Sequence, residues 1–306
     1  MRIVVAGGTG FLGSALVTAL EQGGHQVVVL TRRPRADNAK ERRQGVPVEH
    51  VQWAAGGSDL QWWNALESAD AIVNLAGESI AGGRWTTSRK AAIRDSRVRA
   101  TGALASAIKE LARPRVFVSA SAIGIYGPRG DEPVTEATPP GFDFLAGVCR
   151  EWEAQAMEAA SVARVALLRT GLVLASVGGE LPQIALPFRF FAGGVIGSGK
   201  QYMSWIHRDD WVSLVRWALD TEMVSGPVNL TAPNPVTNEE FTSTLASVLG
   251  RPAFVPAPAF ALRLVLGEMA DALLLTGQRV LPAKAKAMGF RFRYERLDDA
   301  LRAIYR

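Results

Sequence analysis

The first thirteen residues, Met-Arg-Ile-Val-Val-Ala-Gly-Gly-Thr-Gly-Phe-Leu-Gly, constrain the fold more than any other stretch. Ile3, Val4 and Val5 form a short β-branched run of the kind that fills the middle of a parallel sheet. Gly7, Gly10 and Gly13 follow at G-x-x-G-x-x-G spacing, and from Phe11 onward Leu12, Ala15, Leu16, Ala19 and Leu20 fall on one helical face. Strand, tight turn and helix succeed one another. Glycines in such a turn let backbone approach a pyrophosphate, and the helix start offers unpaired N–H groups and the positive end of its dipole. The pattern predicts a dinucleotide site built from Gly7, Thr9, Gly10, Phe11, Leu12 and Gly13.

With 306 residues, 48% of them hydrophobic, the chain can bury a large α/β core with a smaller appendage. The net charge of +5 comes mainly from arginine, since only six of the 34 basic residues are lysine. This balance suits an anionic ligand. Nucleic acid is not expected, because no dense basic run is interleaved with aromatics. The single cysteine, Cys149, rules out an intramolecular disulfide and fits a reducing compartment. The chain enters a strand directly, so no signal peptide is expected. No apolar run reaches the ~20 residues of a membrane span. The nearest, 259–275, is interrupted by Arg263, Glu268 and Asp271. The expectation is a cytoplasmic protein, monomer or homodimer, with no membrane partner.

A second strand is predicted over 26–30, ending in Thr31-Arg32-Arg33. In a dinucleotide fold this strand end meets the adenosine ribose, where an acidic residue favours NAD. Guanidinium groups suit a 2′-phosphate instead, so Arg32 and Arg33 point to NADP(H), with Thr31 among the predicted cofactor contacts. A third strand (48–53) and a helix (60–66) lead to a fourth strand over 69–75. It ends in Asn74-Leu75-Ala76-Gly77, where small residues let a cofactor come close. Leu75, Ala76 and Gly77 thus join the predicted cofactor wall. A long helix over 86–111 carries Arg89, Lys90, Arg94, Arg97 and Arg99 in its first half. Most of these should be solvated, with one or two facing a substrate phosphate or carboxylate. The fifth strand, 115–119, brings Ser119 to the cofactor side and runs on through Ser121 to Tyr126-Gly127.

The stretch 128–142 reads as an irregular loop, followed by a helix over 144–160 and a sixth strand over 165–168. Residues 171–206, rich in glycine and bulky apolar side chains, form an excursion. A helix over 211–220 has Asp209 and Asp210 near its N-cap. A strand over 228–230 precedes a helix over 238–249 capped by Asn238. Helices near 260–275, 282–288 and 298–305 close the chain. The organisation expected is a dinucleotide-binding domain over 1–170, completed by about 207–231, and a smaller substrate domain from 171–206 and 232–306.

The glycine-rich start, Asn74-Leu75-Ala76-Gly77, the 119–127 segment and His207-Arg208-Asp209-Asp210 resemble the extended short-chain dehydrogenase/reductase superfamily, the NAD-dependent epimerases and dehydratases. Arg84-Trp85, Ser96-Arg97, 197–201, 204–207 and the 256–306 tail are similar to its YfcH-like "epimerase family protein" branch. The resemblance covers essentially the whole chain. It implies a Rossmann-type doubly wound sheet, a small and mostly helical C-terminal substrate domain, and NADP(H).

The departure from that superfamily bears on chemistry. Its members use Tyr-x-x-x-Lys, in which the lysine holds the nicotinamide ribose and lowers the tyrosine pKa. None of the four tyrosines here has a lysine four residues later. Matching Glu153 to the glutamate that often ends the superfamily helix puts Leu145 at the tyrosine position and Cys149 at the lysine position. Arg97 falls where an asparagine commonly helps the relay. Only the serine survives, as Ser121 or Ser119. Tyr126, Cys149 and His207 are the available substitute acids, with Ser121, Tyr126 and Cys149 the candidate catalytic set. Two readings follow. One is an NADP-dependent oxidoreductase or epimerase acting on a small anionic or sugar-like molecule. The other is an NADP(H) sensor or partner-binding protein without turnover. A purely structural role is opposed by the intact glycine turn.

Overall fold

The computed structural model describes residues 1–32, 48–54 and 61–306. Strand β1 (Arg2–Ala6) is fully buried over its last four residues. Helix α1 (Phe11–Gln22) starts directly after the turn, with Gly10 as an N-cap that has no side chain to satisfy the first N–H groups. Then come β2 (Gln26–Thr31), β3 (Glu49–Gln52), α2 (Gln61–Glu67) and β4 (Ala71–Asn74). Helix α3 (Thr87–Leu111) is capped by Thr86, whose hydroxyl accepts from the Arg89 N–H. Strand β5 (Val116–Ala122) ends in a 3₁₀ turn over Ile123–Tyr126. Strand β6 (Pro133–Val134) precedes α4 (Phe144–Met157), which Asp143 caps, and β7 (Arg164–Thr170).

The second half begins with β8 (Leu172–Leu174), α5 (Leu181–Arg189), β9 (Tyr202–Met203) and β10 (Trp205–His207). Helix α6 (Arg208–Asp220) and β11 (Gly226–Leu230) return to the main sheet. After β12 (Val236–Thr237) and α7 (Asn238–Leu249) come α8 (Ala259–Leu266), α9 (Glu268–Ala270) and a π turn over Asp271–Leu275. Strand β13 (Arg279–Val280), α10 (Ala283–Ala287) and α11 (Leu297–Tyr305) complete the described chain.

Seven strands form one parallel sheet in the order β11-β7-β5-β4-β1-β2-β3. One face packs Val5, Val29 and Val118 against Leu16 of α1 and Trp211 and Leu214 of α6. The other packs Val4, Val28 and Ile72 against Leu104 and Ile108 of α3. A separate cluster joins Phe188 of α5, Trp205, Phe241 and Leu245 of α7, and Leu301 of α11. The predicted α/β class, a doubly wound parallel sheet with a helical C-terminal region, is the one observed. The strand order reverses at β1, with β2 on one side and β4 on the other, and crevices at such points take ligands.

Several element ends differ from the sequence reading. Strand β5 runs on to Ala122 because its Ser and Ala residues pair in register with β7, Ser121 opposite Arg169. The helix expected over 260–275 breaks at Gly267, whose φ of 62° lies in the left-handed region. Helix α6 starts earlier and is capped by His207; Asp209 and Asp210 lie in its first turn. Helix α7 is capped by Thr237 through a reciprocal capping box with Glu240, not by Asn238, whose side-chain oxygen accepts from the Ile196 N–H.

The three glycines of the first turn have different duties. Gly7 has φ 78°, and a Cβ there would stand 2.7 Å from the Leu75 carbonyl oxygen. A Cβ at Gly13 would stand 2.2 Å from the Gly7 oxygen, so α1 can approach β1 only through a bare backbone. A Cβ at Gly10 would meet only the Gly7 oxygen, at 3.3 Å. Gly13→Ala should therefore lose about 1–3 kcal/mol in urea unfolding. Gly10→Ala should lose no more than about 1 kcal/mol. Equal losses would contradict this division.

Candidate functional site

The turn after β1 and the segment after β4 meet at the carboxyl edge of the sheet. The Leu75 N–H donates to the Ala6 oxygen at 2.8 Å. Asn74 anchors the segment behind it. Its Oδ1 accepts from the Ala76 N–H and its Nδ2 donates to Thr101 Oγ1 at 2.8 Å, while the Trp152 indole donates to the same hydroxyl. Gly7, Leu75 and Ala76 therefore form one wall. Thr9 and Gly10 are exposed at the mouth of α1, and Phe11 and Leu12 are half-buried. The Phe11 ring lies against Gly178 and Gly179, where a Cβ would come within 2.5 and 2.7 Å of it. Thr31 is half-buried at the end of β2, Arg32 is exposed just beyond it, and Gly77 is exposed after β4. Ser119 is wholly buried, with its hydroxyl 3.5 Å from Asn74 Nδ2. Arg33 lies outside the described residues.

An uncapped helix start with exposed Thr9 and Gly10 fits a pyrophosphate, and an exposed guanidinium at the end of β2 fits a ribose 2′-phosphate. Among the described residues no group of three or more His, Cys, Asp or Glu is placed to hold a metal ion. No helix of the described residues is long and apolar enough to cross a membrane.

The candidate acid–base groups sit deeper, in one buried network. Arg169, the last charged residue of β7, grips Glu153 of α4 with two bonds, Nε to Oε1 at 2.9 Å and Nη2 to Oε2 at 2.8 Å. Ser121 donates to the same Oε1 at 2.6 Å. The Tyr126 hydroxyl accepts from Arg169 Nη1 at 2.9 Å and donates to Asn229 Oδ1 at 2.6 Å. Burial works against the Arg169 charge, but the Glu153 fork outweighs it and holds the guanidinium above its ordinary range. Burial also raises the Tyr126 phenol, with Arg169 pulling back, so the ring stays neutral. Cys149 is buried, and its thiol is pushed up to about 12, first by burial and then by the Glu153 charge. The partial exposure and stabilised thiolate that would make Cys149 an acid–base group are both lacking. His207 is held in its capping role: Nδ1 accepts from the Asp209 N–H at 3.1 Å and the ring lies 4.0 Å from Tyr294.

Arg169, Asn229 and Glu136 escaped the sequence reading as network members. The signal available was a charge ending an apolar strand, since a charge inside a sheet must find a partner. Glu136 accepts from the backbone N–H of Asn229 and of Lys284, which ties β11 and the start of α10 to the loop after β6.

The basic face of α3 is mostly neutralised. Arg89 pairs with Glu78, Lys90 with Glu268, Arg94 with Asp95 and Glu151, and Arg99 with Asp95. Lys90 and Glu268 join α3 to α9 beside a cleft of about 180 Å³ lined by Trp85, Phe144, Leu145, Asp271 and Thr276. Trp85 and Phe144 meet edge to face there, with ring centres 5.2 Å apart.

Two outcomes follow from the network. Glu153→Gln leaves the Arg169 charge buried without a counter-charge and should cost about 3–5 kcal/mol in urea unfolding. A loss below about 1 kcal/mol would mean that the fork is not holding the sheet edge. Cys149 should resist iodoacetamide at pH 8 in the folded protein and react once the chain is unfolded. Rapid labelling of the native protein would contradict its burial.

The NAD dependent epimerase/dehydratase family model matches residues 3–230, and a domain of unknown function, DUF1731, matches residues 257–304. The chain is 43% identical to the chloroplastic epimerase family protein SDR39U1 homolog of Arabidopsis thaliana, over 99% of this chain and 86% of that protein. It is 41% identical to epimerase family protein YfhF of Bacillus subtilis, over 98% and 97% of the two chains. Among solved structures, human epimerase family protein SDR39U1 with NADPH superposes with a TM-score of 0.88 at 33% identity, covering 100% of this chain and 99% of that one. With the seven-strand sheet and the glycine turn in place, this chain belongs to the NAD-dependent epimerase/dehydratase family, in the group of epimerase family proteins that carry a C-terminal DUF1731 segment.

Proposed function

We propose that the protein binds NADP(H) across the carboxyl edge of β2, β1 and β4 and responds to that binding, without turnover through a Tyr–Lys relay or a substitute for it. The observation that carries this reading is the commitment of Ser121, Tyr126 and Cys149. Reduction of a carbonyl needs a proton as well as a hydride. The Tyr126 proton is given to Asn229, the Ser121 proton to Glu153, and the Cys149 thiol is buried. Bound NADPH supplies a hydride donor. Gly7, Gly10 and the start of α1 would hold its pyrophosphate, Arg32 its 2′-phosphate, and Leu75, Ala76 and Gly77 would flank its nicotinamide half. The human relative crystallised with NADPH supports this choice of cofactor. The partner in this reading is a small molecule, anionic or sugar-like. A reducing compartment such as the cytoplasm suits the lone buried thiol.

The cleft beside Leu145 favours a second reading, an oxidoreductase that takes its proton from water. NADPH oxidation across a carbonyl panel separates the two. The sensor reading expects no turnover with the wild-type chain. Measurable turnover unchanged in Tyr126→Phe and Cys149→Ala would favour the water-fed enzyme. Turnover abolished by either substitution would restore that side chain as an acid. For the cofactor, calorimetry should show tighter binding of NADP(H) than of NAD(H). Arg32→Ala should weaken NADPH by about tenfold, as for one charge-assisted contact, and leave NADH unchanged. Equal affinities in the wild type would remove the 2′-phosphate assignment.

A further inference from the structure

Of the five basic residues on the first half of α3, four have carboxylate partners and Arg97 forms no ion pair with any described residue. It is not a solvated surface arginine. The side chain is partly buried, its guanidinium lies over the Trp152 ring at 5.2 Å, and Nη1 donates to the Ile93 oxygen at 2.8 Å. Its Cζ would stand 3.3 Å from a Cβ on Gly77, so the group is pressed against the segment that follows β4. Glu78, whose charge acts on Arg97, is already held by Arg89 at 3.0 Å. Burial lowers the Arg97 pKa, and the Glu78 charge only partly offsets it.

A desolvated guanidinium without a counter-charge costs free energy that a bound anion repays. The anions of NADP(H) are taken elsewhere, the pyrophosphate at α1 and the 2′-phosphate at Arg32. The missing anion thus belongs to a second molecule. One positive charge without an ion-pair partner, resting over the Trp152 ring, matches a planar monoanion. On α4, Leu145 opens on the cleft with Trp85 and Phe144, which offers apolar surface to the rest of that molecule; the carboxylates at its border, Asp143, Glu268 and Asp271, are held by the Ala146 N–H, Lys90 and Arg263.

We propose that Arg97 is the receptor for the carboxylate of a small second ligand, seated between Gly77 and the start of α4 beside the NADP(H) crevice. This rests on the reading that NADP(H) fills that crevice.

The test is calorimetry on the NADPH-loaded protein with acetate, benzoate, phenylpyruvate, inorganic phosphate and uncharged benzamide. At least one carboxylate should bind, and benzamide should bind at least about tenfold more weakly than benzoate. Arg97→Met should weaken the carboxylate by about tenfold or more while NADPH affinity changes by less than about twofold. Arg97→Lys, which keeps the charge and loses the fork, should fall between, and it carries the test if the Met variant fails to fold. No carboxylate binding to the wild type, preference for phosphate, or equal binding of benzamide would each overturn the proposal. So would a loss of NADPH affinity with carboxylate affinity unchanged, since Arg97 would then serve the cofactor. If wild-type protein binds no NADPH, the cofactor reading fails separately, and the same titrations on the protein alone decide the role of Arg97.

Discussion

Arg169 stands at the end of a buried strand, and a guanidinium there has to be neutralised by something the fold brings to it. Glu153 does so from α4, two bonds to two oxygens, and this fixes how α4 lies on the edge of β5 and β7. Everything around the pair is then spoken for. Ser121 completes the coordination of Glu153, Tyr126 accepts from the remaining Arg169 nitrogen, and Asn229 takes the Tyr126 proton. Asn229 Nδ2 donates in turn to the Leu281 oxygen, so the network reaches the C-terminal segment. Ser121, Tyr126 and Glu153 thereby tie β5, the turn after it, α4 and β11 to one another.

The same edge is crossed by the C-terminal segment. Gln278 Nε2 donates to the Ile123 oxygen, the Arg129 N–H donates to the Gly277 oxygen, and Ser204 Oγ bridges the Gln278 oxygen and the Val280 N–H. Gln201 donates to the Leu274 oxygen from the other side. With Lys90–Glu268, these bonds hold the 268–281 stretch against α3 and the exit of β5. Most of them involve backbone atoms, so the position of the stretch depends on chain path more than on side-chain identity. The left-handed Gly267 allows that path by ending α8 and turning the chain back toward α3.

What was legible in the sequence is what is local. The turn from β1 to α1 could be read because strand, glycines and helix lie in one short stretch and each glycine has a nearby reason to exist. The parallel sheet followed from alternating apolar runs and helical periods. The C-terminal part of β5 was less legible, because Ala120, Ser121 and Ala122 have weak strand propensity and pair with β7 beyond the reach of β4. The start of α6 was placed a few residues late, and the cap of α7 was misplaced toward Asn238, whose side-chain oxygen accepts from the Ile196 N–H. The state of the candidate acids was out of reach, since the partners of Tyr126 lie 43 and 103 residues away. The five basic residues of α3 look alike as a sequence. Which one is left over depends on Glu78, Glu151 and Glu268, brought from three other parts of the chain.

The strand order gives the two arginines of the proposed site opposite places. Arg32 follows β2 and Gly77, with Arg97 against it, follows β4; β1 and its glycine turn lie between. Adjacent strands stand about 4.8 Å apart, so a ligand crossing from β2 to β4 spans about 10 Å, within reach of an extended dinucleotide half. A pyrophosphate fixed at the middle strand then leaves one direction for each half of the cofactor. In the proposed reading the adenosine end would go to the exposed arginine, where solvent screens the charge and a 2′-phosphate could enter and leave. The nicotinamide end would then go to the side where the arginine is partly buried and less screened, and where a single contact would hold an anion more strongly. In the proposed reading, the second ligand therefore meets the reactive end of the cofactor because the buried cation is on that side of β1.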